Sequence, residues 1–593
     1  MKLVKNTIGH LLLDRLSKTP HSKAVGFFKE SKVEEMSFTQ YKVEIEKLSL
    51  ALIKKGVIRQ DKICILSQTR IEWNLLDLAV LCSGAVTVPI YQTYTSNEVL
   101  FILNHCEAKM VIVENDEQFL KICDKIDILP HLKFIISIEE LNKDLLQKLP
   151  SNIFFFTLQQ FQDIGKEEVI SNPDLFELKV NAQHDDNIAT IVYTSGTTGN
   201  PKGAVIRHGA LLRMLTNINS FAQGSLNKND TNLIFLPLAH VLGRCDSLLN
   251  LTFGCKSIYA ESIDQLLPNI AIVRPTFMIA VPRIFEKIFE KVKLDLDRSN
   301  KLKKGLFNWG MATANTYFQK IDDNRTPTPS EIVQFNIAKN LIFKKVYERF
   351  GGRIRYFISG GAPLAKEITQ FLRNSGLVLV EGYGLTETIA PCILNPFDRQ
   401  KAGTVGKPIG DVEVSFDEDS EILIRSEALF DHYLKSQEET SEVLAPDGWF
   451  KTGDIGSFDS DGYLKITGRK KDIIITSGGK NVAPQKIENI LKLETIIEHC
   501  CVVGDSRKYL TALIALNENN LREFRENPSQ IAETIRETIK VTNKGLAQFE
   551  TIKAFRVLPA HLTTDNYLTP SLKLKKKKLI SDYEDLIDSM YDD

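Results

Sequence analysis

The chain has 593 residues, 43% hydrophobic and 25% charged, a globular composition that excludes disordered, collagen-like and disulfide-scaffold classes. Its 74 Lys and Arg against 75 Asp and Glu leave a formal charge of −1, without the basic excess of a dedicated nucleic-acid binder, so no nucleic-acid partner is expected. No apolar run approaches the ~18 residues that span a bilayer, and at roughly 150 residues per domain the length implies two to four structural units.

Residues 1–20 carry Lys2 and Lys5, but His10, Asp14 and Arg15 break the only apolar stretch. This segment reads as an amphipathic first helix and not as a signal peptide. From residue 60, short apolar runs alternate with helical periodicity: strand 62–66, helix 71–83, strand 86–89, helix 96–105, strand 109–113. That alternation predicts βαβ units and a largely parallel sheet. It returns at 354–358 (strand), 364–374 (helix) and 377–380 (strand), while the lysine-rich stretch 285–350 reads as a helical, solvated surface excursion.

After residue 410 the texture changes to short strands at 421–425, 463–467 and 472–476, punctuated by turns at Asp447-Gly448 and Asp461-Gly462, which predicts a β-rich subdomain. A helix at 484–493 and strands at 500–503 and 510–516 then open a compact α+β unit. The nine cysteines are odd in number and form no C-x-x-C pair, so no zinc ribbon or thioredoxin-like site is offered. The adjacent Cys500 and Cys501 read as buried strand thiols, and a reduced, cytoplasmic setting is expected.

The strand at 189–193 runs into Thr194-Ser195-Gly196-Thr197-Thr198-Gly199-Asn200-Pro201-Lys202-Gly203. Glycines let backbone N–H groups approach phosphate oxygens, hydroxyls donate, and Lys202 supplies a point charge, so this string can wrap a triphosphate. It is not a Walker A loop, because the lysine follows Pro201 and is followed by Gly203. Two further turns, Ser359-Gly360-Gly361-Ala362-Pro363 and Glu381-Gly382-Tyr383-Gly384-Leu385-Thr386-Glu387-Thr388, follow predicted neighbouring strands, where an α/β sheet opens a ligand crevice. Tyr383 offers an aromatic face to a flat base, Thr386 can bond a phosphate, and Glu387 can hold Mg²⁺.

Residues 193–203 resemble the phosphate-binding motif of the AMP-forming acyl-CoA synthetases, within the acyl-adenylate-forming superfamily. Stretches at 88–109, 274–292 and 468–488 resemble the long-chain branch, and the likeness runs from about residue 10 to 580. It implies an α/β architecture: an ATP- and acid-binding domain over 1–468 (β-rich from about 400), a hinge at 469–473, and a mobile α+β domain over 474–593. The implied reaction is ATP-dependent activation of a fatty acid, long-chain by resemblance, to acyl-adenylate with pyrophosphate release. CoA then takes the acyl group and AMP leaves.

By the same resemblance, Gly361-Ala362-Pro363 and Tyr383 line adenine, Glu387 is the Mg²⁺ ligand, and Asp454 accepts ribose hydroxyls. Arg469, fifteen residues on, contacts ribose or phosphate. Lys573, within five lysines in six residues, matches the family's catalytic lysine, with Lys575 the competing register. The rest of that run is expected to be solvated, with anionic lipid headgroups as an alternative contact. Lys471 matches the hinge position, and Ser477-Gly478-Gly479-Lys480 the loop that approaches the pantetheine arm of CoA. In Leu236-Pro237-Leu238-Ala239-His240, His240 sits beside the reacting carboxylate or the aromatic gate. There the sequence departs from the long-chain branch, which follows with an aromatic and an acidic residue where Leu242 and Gly243 stand, so a smaller gate with altered chain-length preference is expected.

Two alternatives stay open: an acyl-adenylate ligase serving a carrier protein, and a non-catalytic nucleotide or lipid sensor. Intact 194–203, Glu387, Asp454 and Lys573 weigh against the sensor. Peripheral contact with the inner face of a membrane, chain length and oligomeric state are left undetermined.

Overall fold

The computed structural model describes residues 7–194, 201–323, 325–563, 566–569 and 573–592. Two large sheets carry the N-terminal part. One has eight strands, in which Lys62–Leu66, Val86–Ile90, Met110–Val113, Phe134–Ser137, Phe154–Thr157 and Ile188–Thr194 run parallel, as the alternation predicts. Its other edge is antiparallel: Lys202–Arg207 folds back on Ile188–Thr194, and His432–Tyr433 adds outside it. The second sheet has nine strands, with Thr231–Ile234, Phe277–Ala280, Tyr356–Ser359 and Val378–Tyr383 forming a parallel centre. An N-terminal hairpin, Lys23–Lys29 with Lys32–Ser37, closes one edge of this sheet.

Local rules set many of the boundaries. The helices Phe38–Lys54, Ser96–His105, Leu158–Ser171 and Pro329–Ala338 each begin with a Ser or Thr cap and a reciprocal Gln or Glu three residues into the helix. The strand expected at 377–380 runs on to Tyr383, because it pairs in parallel with Tyr356–Ser359 and then antiparallel with Ile393–Leu394. Glu381, Gly382 and Tyr383 are therefore strand residues and not part of the turn. The strand expected at 472–476 shrinks to Ile474–Ile475, since Lys470–Asp472 forms a 3₁₀ turn.

A four-stranded antiparallel sheet of Glu413–Phe416, Glu421–Arg425, Phe450–Phe458 and Leu464–Arg469 forms the β-rich portion. Gly448 (φ 86°) and Gly462 (φ 77°) occupy its turns in the left-handed region that glycine tolerates. Beyond it, Ile497–Val503, Leu510–Leu516 and Ile552–Val557 make a three-stranded sheet. Both faces of that sheet are covered: Cys500 joins one apolar cluster and Cys501 the other, so the two buried thiols follow strand alternation.

Between the two large sheets, helix Ile71–Ser83 meets helix Val241–Phe253 through a buried ion pair. Arg244 is 2% and Asp77 0% exposed, and the guanidinium Nε donates to Asp77 Oδ2 at 2.9 Å while Nη2 bonds the other oxygen. Breaking one partner strands the other charge in the core. Asp77→Ala is expected to destabilise the fold by about 3–5 kcal/mol, whereas replacing both residues by apolar ones of similar volume recovers most of that loss. Denaturant midpoints of the single and double variants check this.

Candidate functional site

Strand pairing explains the spacing of Asp454 and Arg469. They are direct partners across the antiparallel hairpin of Phe450–Phe458 and Leu464–Arg469, so fifteen residues of sequence return to one point. Arg469 Nε donates to Asp454 Oδ1 at 2.9 Å, and the Tyr383 hydroxyl donates to Oδ2 at 2.6 Å. Asp454 is 5% exposed, and burial beside its charge pushes the Tyr383 hydroxyl well above its ordinary pKa. A carboxylate offers about four lone-pair directions, so two remain for further donors.

The turn that follows Tyr383 folds tightly. Gly384 is required, because a Cβ there would lie 2.3 Å from the Ala390 carbonyl oxygen. Ile389 (φ 56°) and Ala390 (φ 73°) both sit in the left-handed region, a strained arrangement of the kind that concentrates at functional sites. Thr388 is buried and caps this loop through the Leu385 amide at 2.8 Å. Thr386 remains half-buried, and Glu387 accepts the Tyr433 hydroxyl at 2.6 Å.

On the facing edge, Thr194 and Lys202 are register partners that bracket the phosphate-loop string, whose residues Ser195, Gly196, Thr197, Thr198 and Gly199 lie outside the described residues. Lys202 pairs with Glu439 at 2.7 Å and lies 5.4 Å from the centre of the Tyr433 ring. Tyr433 thus links Glu387 to Lys202. Neither Tyr433 nor Glu439 carries a signal in its own string; they arrive by the antiparallel pairing of His432–Tyr433 with Lys202–Arg207.

The C-terminal lysine joins the same cleft. Lys573 is held locally by Thr569, whose Oγ1 accepts the Lys573 amide at 3.0 Å. Its side chain still touches solvent, yet desolvation in the cleft pulls its ammonium pKa down; the Arg469 cation adds to this and Asp454 opposes it. The Lys575 amide bonds the Tyr567 carbonyl at 2.7 Å. Other lysines of the run are engaged elsewhere: Lys576 forms two 2.8 Å bonds to Glu488, and Lys578 lies 5.2 Å from the centre of the Tyr567 ring.

His240 caps helix Val241–Phe253. Its Nδ1 accepts the Leu242 amide at 3.1 Å, which leaves the ring proton on Nε2. It lines an apolar cavity, partly open to solvent, together with residues such as Phe221, Leu242, Leu249, Ile279, Val380 and Phe397. Gly360, Gly361, Gly382, Tyr383 and Gly384 also line it, and Gly361 (φ 85°) makes the bend after Tyr356–Ser359. Ala362 and Pro363 are exposed beyond the lining.

The gate expectation is corrected in part. Leu242 does face the cavity, but a Cβ at Gly243 would lie 2.3 Å from the Pro237 carbonyl oxygen, so that glycine is a packing requirement and not a gap in the gate. Glu381 lies on the same strand as Tyr383. It is 8% exposed, does not line the cavity, accepts the Thr369 hydroxyl at 3.0 Å, and burial raises its pKa to about 8. Ser477, Gly478, Gly479 and Lys480 form an exposed turn outside the cluster around Asp454, and Lys471 is exposed in the 3₁₀ turn next to Lys470, which pairs with Asp417, Asp419 and Glu421.

The profile of the AMP-binding enzyme family matches residues 13–434, and that of the AMP-binding enzyme C-terminal domain matches 471–593. The chain belongs to this family. It is 33% identical to the long-chain-fatty-acid–CoA ligase FadD15 of Mycobacterium bovis, over 92% of this chain and 91% of that one. It is 28% identical to the long-chain-fatty-acid–CoA ligase ACSBG2 of Xenopus laevis, covering 99% and 84%. Among solved structures, the A domain of the carboxylic acid reductase from Segniliparus rugosus, in complex with AMP and a co-purified carboxylic acid, superposes with a TM-score of 0.77. At 19% identity, covering 99% of this chain and 94% of that one, it shares the fold.

Burial lowers the His240 pKa to about 4, and the nearby Lys573 cation adds to the shift. The ring is therefore neutral from about pH 5 upward, below the ordinary value of 6.5. In Lys573→Ala the midpoint rises but stays under 6.5, since burial is the larger cause. A titration of ¹³C-histidine-labelled protein by NMR checks this; an unshifted midpoint in the parent chain sinks it.

Proposed function

We propose that this protein is an ATP-dependent fatty acid–CoA ligase acting on long-chain acids. The carboxylate oxygen of the acid attacks the α-phosphorus of ATP; the bond to the β-phosphate bridging oxygen breaks, giving acyl-adenylate and pyrophosphate. The CoA thiolate then attacks the acyl carbonyl, and AMP leaves. What carries this reading is an apolar cavity whose wall includes His240 and Tyr383, with Tyr383 bonded to the Asp454–Arg469 pair and the Lys573 charge acting on His240. The relatives named long-chain-fatty-acid–CoA ligases favour CoA over a carrier protein and a catalyst over a sensor.

In this reading Asp454 receives the ribose hydroxyls, and Tyr383, Gly360 and Gly361 border the base. Thr194, Lys202 and the glycine-rich string between them receive the β- and γ-phosphates, with Thr386 bonding a phosphate oxygen. Lys573 and Arg469 offset the negative charge that develops between carboxylate and α-phosphate. His240, as a fixed Nε2–H donor, orients the carboxyl group. Among the described residues no three His, Cys, Asp or Glu side chains cluster as a metal cage. A Mg²⁺ ion carried on phosphates needs only one or two carboxylates, and Glu387 fits that demand. When bound, Mg²⁺ neutralises phosphate charge and favours the pyrophosphate leaving group.

The loop Ser477–Gly478–Gly479–Lys480 stands apart from the adenylate cluster, and we assign it to CoA after rotation of residues 474–593 about Lys471. The contacts to be exchanged include Arg283 with Glu498, which also holds His561 at 2.7 Å. No helix among the described residues is long and apolar enough to cross a membrane. Contact with the acid's source is then peripheral.

Acid-dependent pyrophosphate release, with AMP and thioester on adding CoA, tests the reading; absence of release with every acid overturns it. Lys573→Ala is expected to slow adenylate formation about a hundredfold or more. Leu242→Phe, which adds bulk to the cavity wall, shifts the optimum of kcat/KM to shorter acids, and Leu242→Ala shifts it the other way.

A further inference from the structure

Residues 285–350 hold thirteen Lys and Arg against eight Asp and Glu, in a chain whose formal charge is −1. They fold as helices Pro282–Asp297, Lys301–Asp322, Pro329–Ala338 and Lys344–Arg349. One side of this excursion is core: Phe289 and Phe307 pack on Phe371, and Tyr317 stacks on Phe335 at 4.5 Å. The exposed stripe of Lys301–Asp322 carries Leu302 (81% exposed), Leu306 (39%) and Trp309 (39%), spaced four and three residues apart. The buried Gly310 and Ala314 lie beside it, toward the core.

At about 100° per residue, Lys301 and Lys303 flank that stripe on either side, and Lys304 lies on the far side of the helix. From Arg298 to Lys320 there are five cations and not one carboxylate. Lys301, Lys303 and Lys304 form no ion pair among the described residues, whereas ion pairs are common elsewhere on the surface. An exposed apolar row ending in Trp, edged by unpaired lysines, is the pattern of a helix that lies in a bilayer interface. The C-terminal lysine run is less suited, because Lys573, Lys576 and Lys578 are already engaged within the protein.

We infer that helix Lys301–Asp322 is a docking surface for an anionic lipid bilayer, its Leu302–Leu306–Trp309 stripe entering the headgroup layer and Lys301 and Lys303 meeting lipid phosphates. The inference rests on the peripheral contact proposed above and names its surface. The neighbouring Val333 and Ile337, also exposed, extend the apolar area of the same hairpin.

Flotation of the full chain with vesicles of equal parts phosphatidylglycerol and phosphatidylcholine tests it, against pure phosphatidylcholine. Binding is expected only to the anionic vesicles, with a blue shift of tryptophan emission that Trp309→Phe abolishes. The Leu302→Ser/Leu306→Ser/Trp309→Ser and Lys301→Glu/Lys303→Glu variants are each expected to bind at least about tenfold more weakly. Their pyrophosphate release with a short, water-soluble acid stays at the parental level. Equal binding by parent and variants, or loss only in Lys577→Glu, overturns the surface while keeping peripheral contact. No vesicle binding by the parent overturns both, and neither outcome touches the ligase reading, which the short-acid assay reports separately. A parental dimer dissociated by the Ser variant, measured by light scattering, assigns the stripe to a second copy and also overturns the inference.

Discussion

The Asp454 carboxylate is the group on which the site's geometry depends. It lies almost out of contact with solvent, and an isolated buried carboxylate is costly, so it must be met by donors. Tyr383 arrives from the centre of the nine-stranded sheet and Arg469 from the opposing strand of its own hairpin, one on each oxygen. Lys573, from the far end of the chain, lies close enough for its charge to be felt. One anion thereby joins the sheet, the β-rich portion and the C-terminal region at a single point.

The charge around it is uneven by construction. Arg469 and Lys573 are both cationic, and their mutual repulsion contributes to the lowered Lys573 pKa. His240 answers with neutrality: burial first, and then the nearby Lys573 cation, disfavour a second proton. The cleft therefore presents positive charge with a neutral hydrogen-bond donor beside it. Such an arrangement suits an incoming carboxylate and phosphate, which would compete with a third fixed cation for space and hydration. Across the cleft, Lys202 and Glu387 are steadied through Glu439 and Tyr433, so that wall is close to charge balance.

The apolar cavity owes its wall to the same helix that His240 caps. Arg244, one turn on, anchors that helix to Asp77 in the core, and Gly243 permits its close approach to the Leu236-Pro237 segment. His240 and part of the greasy wall thus share one helix, which a buried ion pair ties to the core. Away from the site, the helical excursion uses its aromatic face for packing and leaves its leucines, tryptophan and lysines outward, which separates the rigid role of that segment from its surface role.

The sequence by itself determined the parallel sheet from residue 60, the β-rich texture after 410, the turns at Gly448 and Gly462, and the strings that carry hydroxyls, glycines and charges. These depend on periodicity of two or 3.6 residues and on backbone freedom, which are local properties. Tertiary structure alone decided which strings meet. The fifteen-residue gap between Asp454 and Arg469 became a contact through strand register, and Tyr433 with Glu439 entered through a strand pairing more than two hundred residues apart in sequence. The partner of Glu381 likewise came from the fold, its carboxyl accepting the Thr369 hydroxyl. Gly243 proved to be a matter of close packing, which no string can display, because the atom that demands it belongs to Pro237 on the incoming chain.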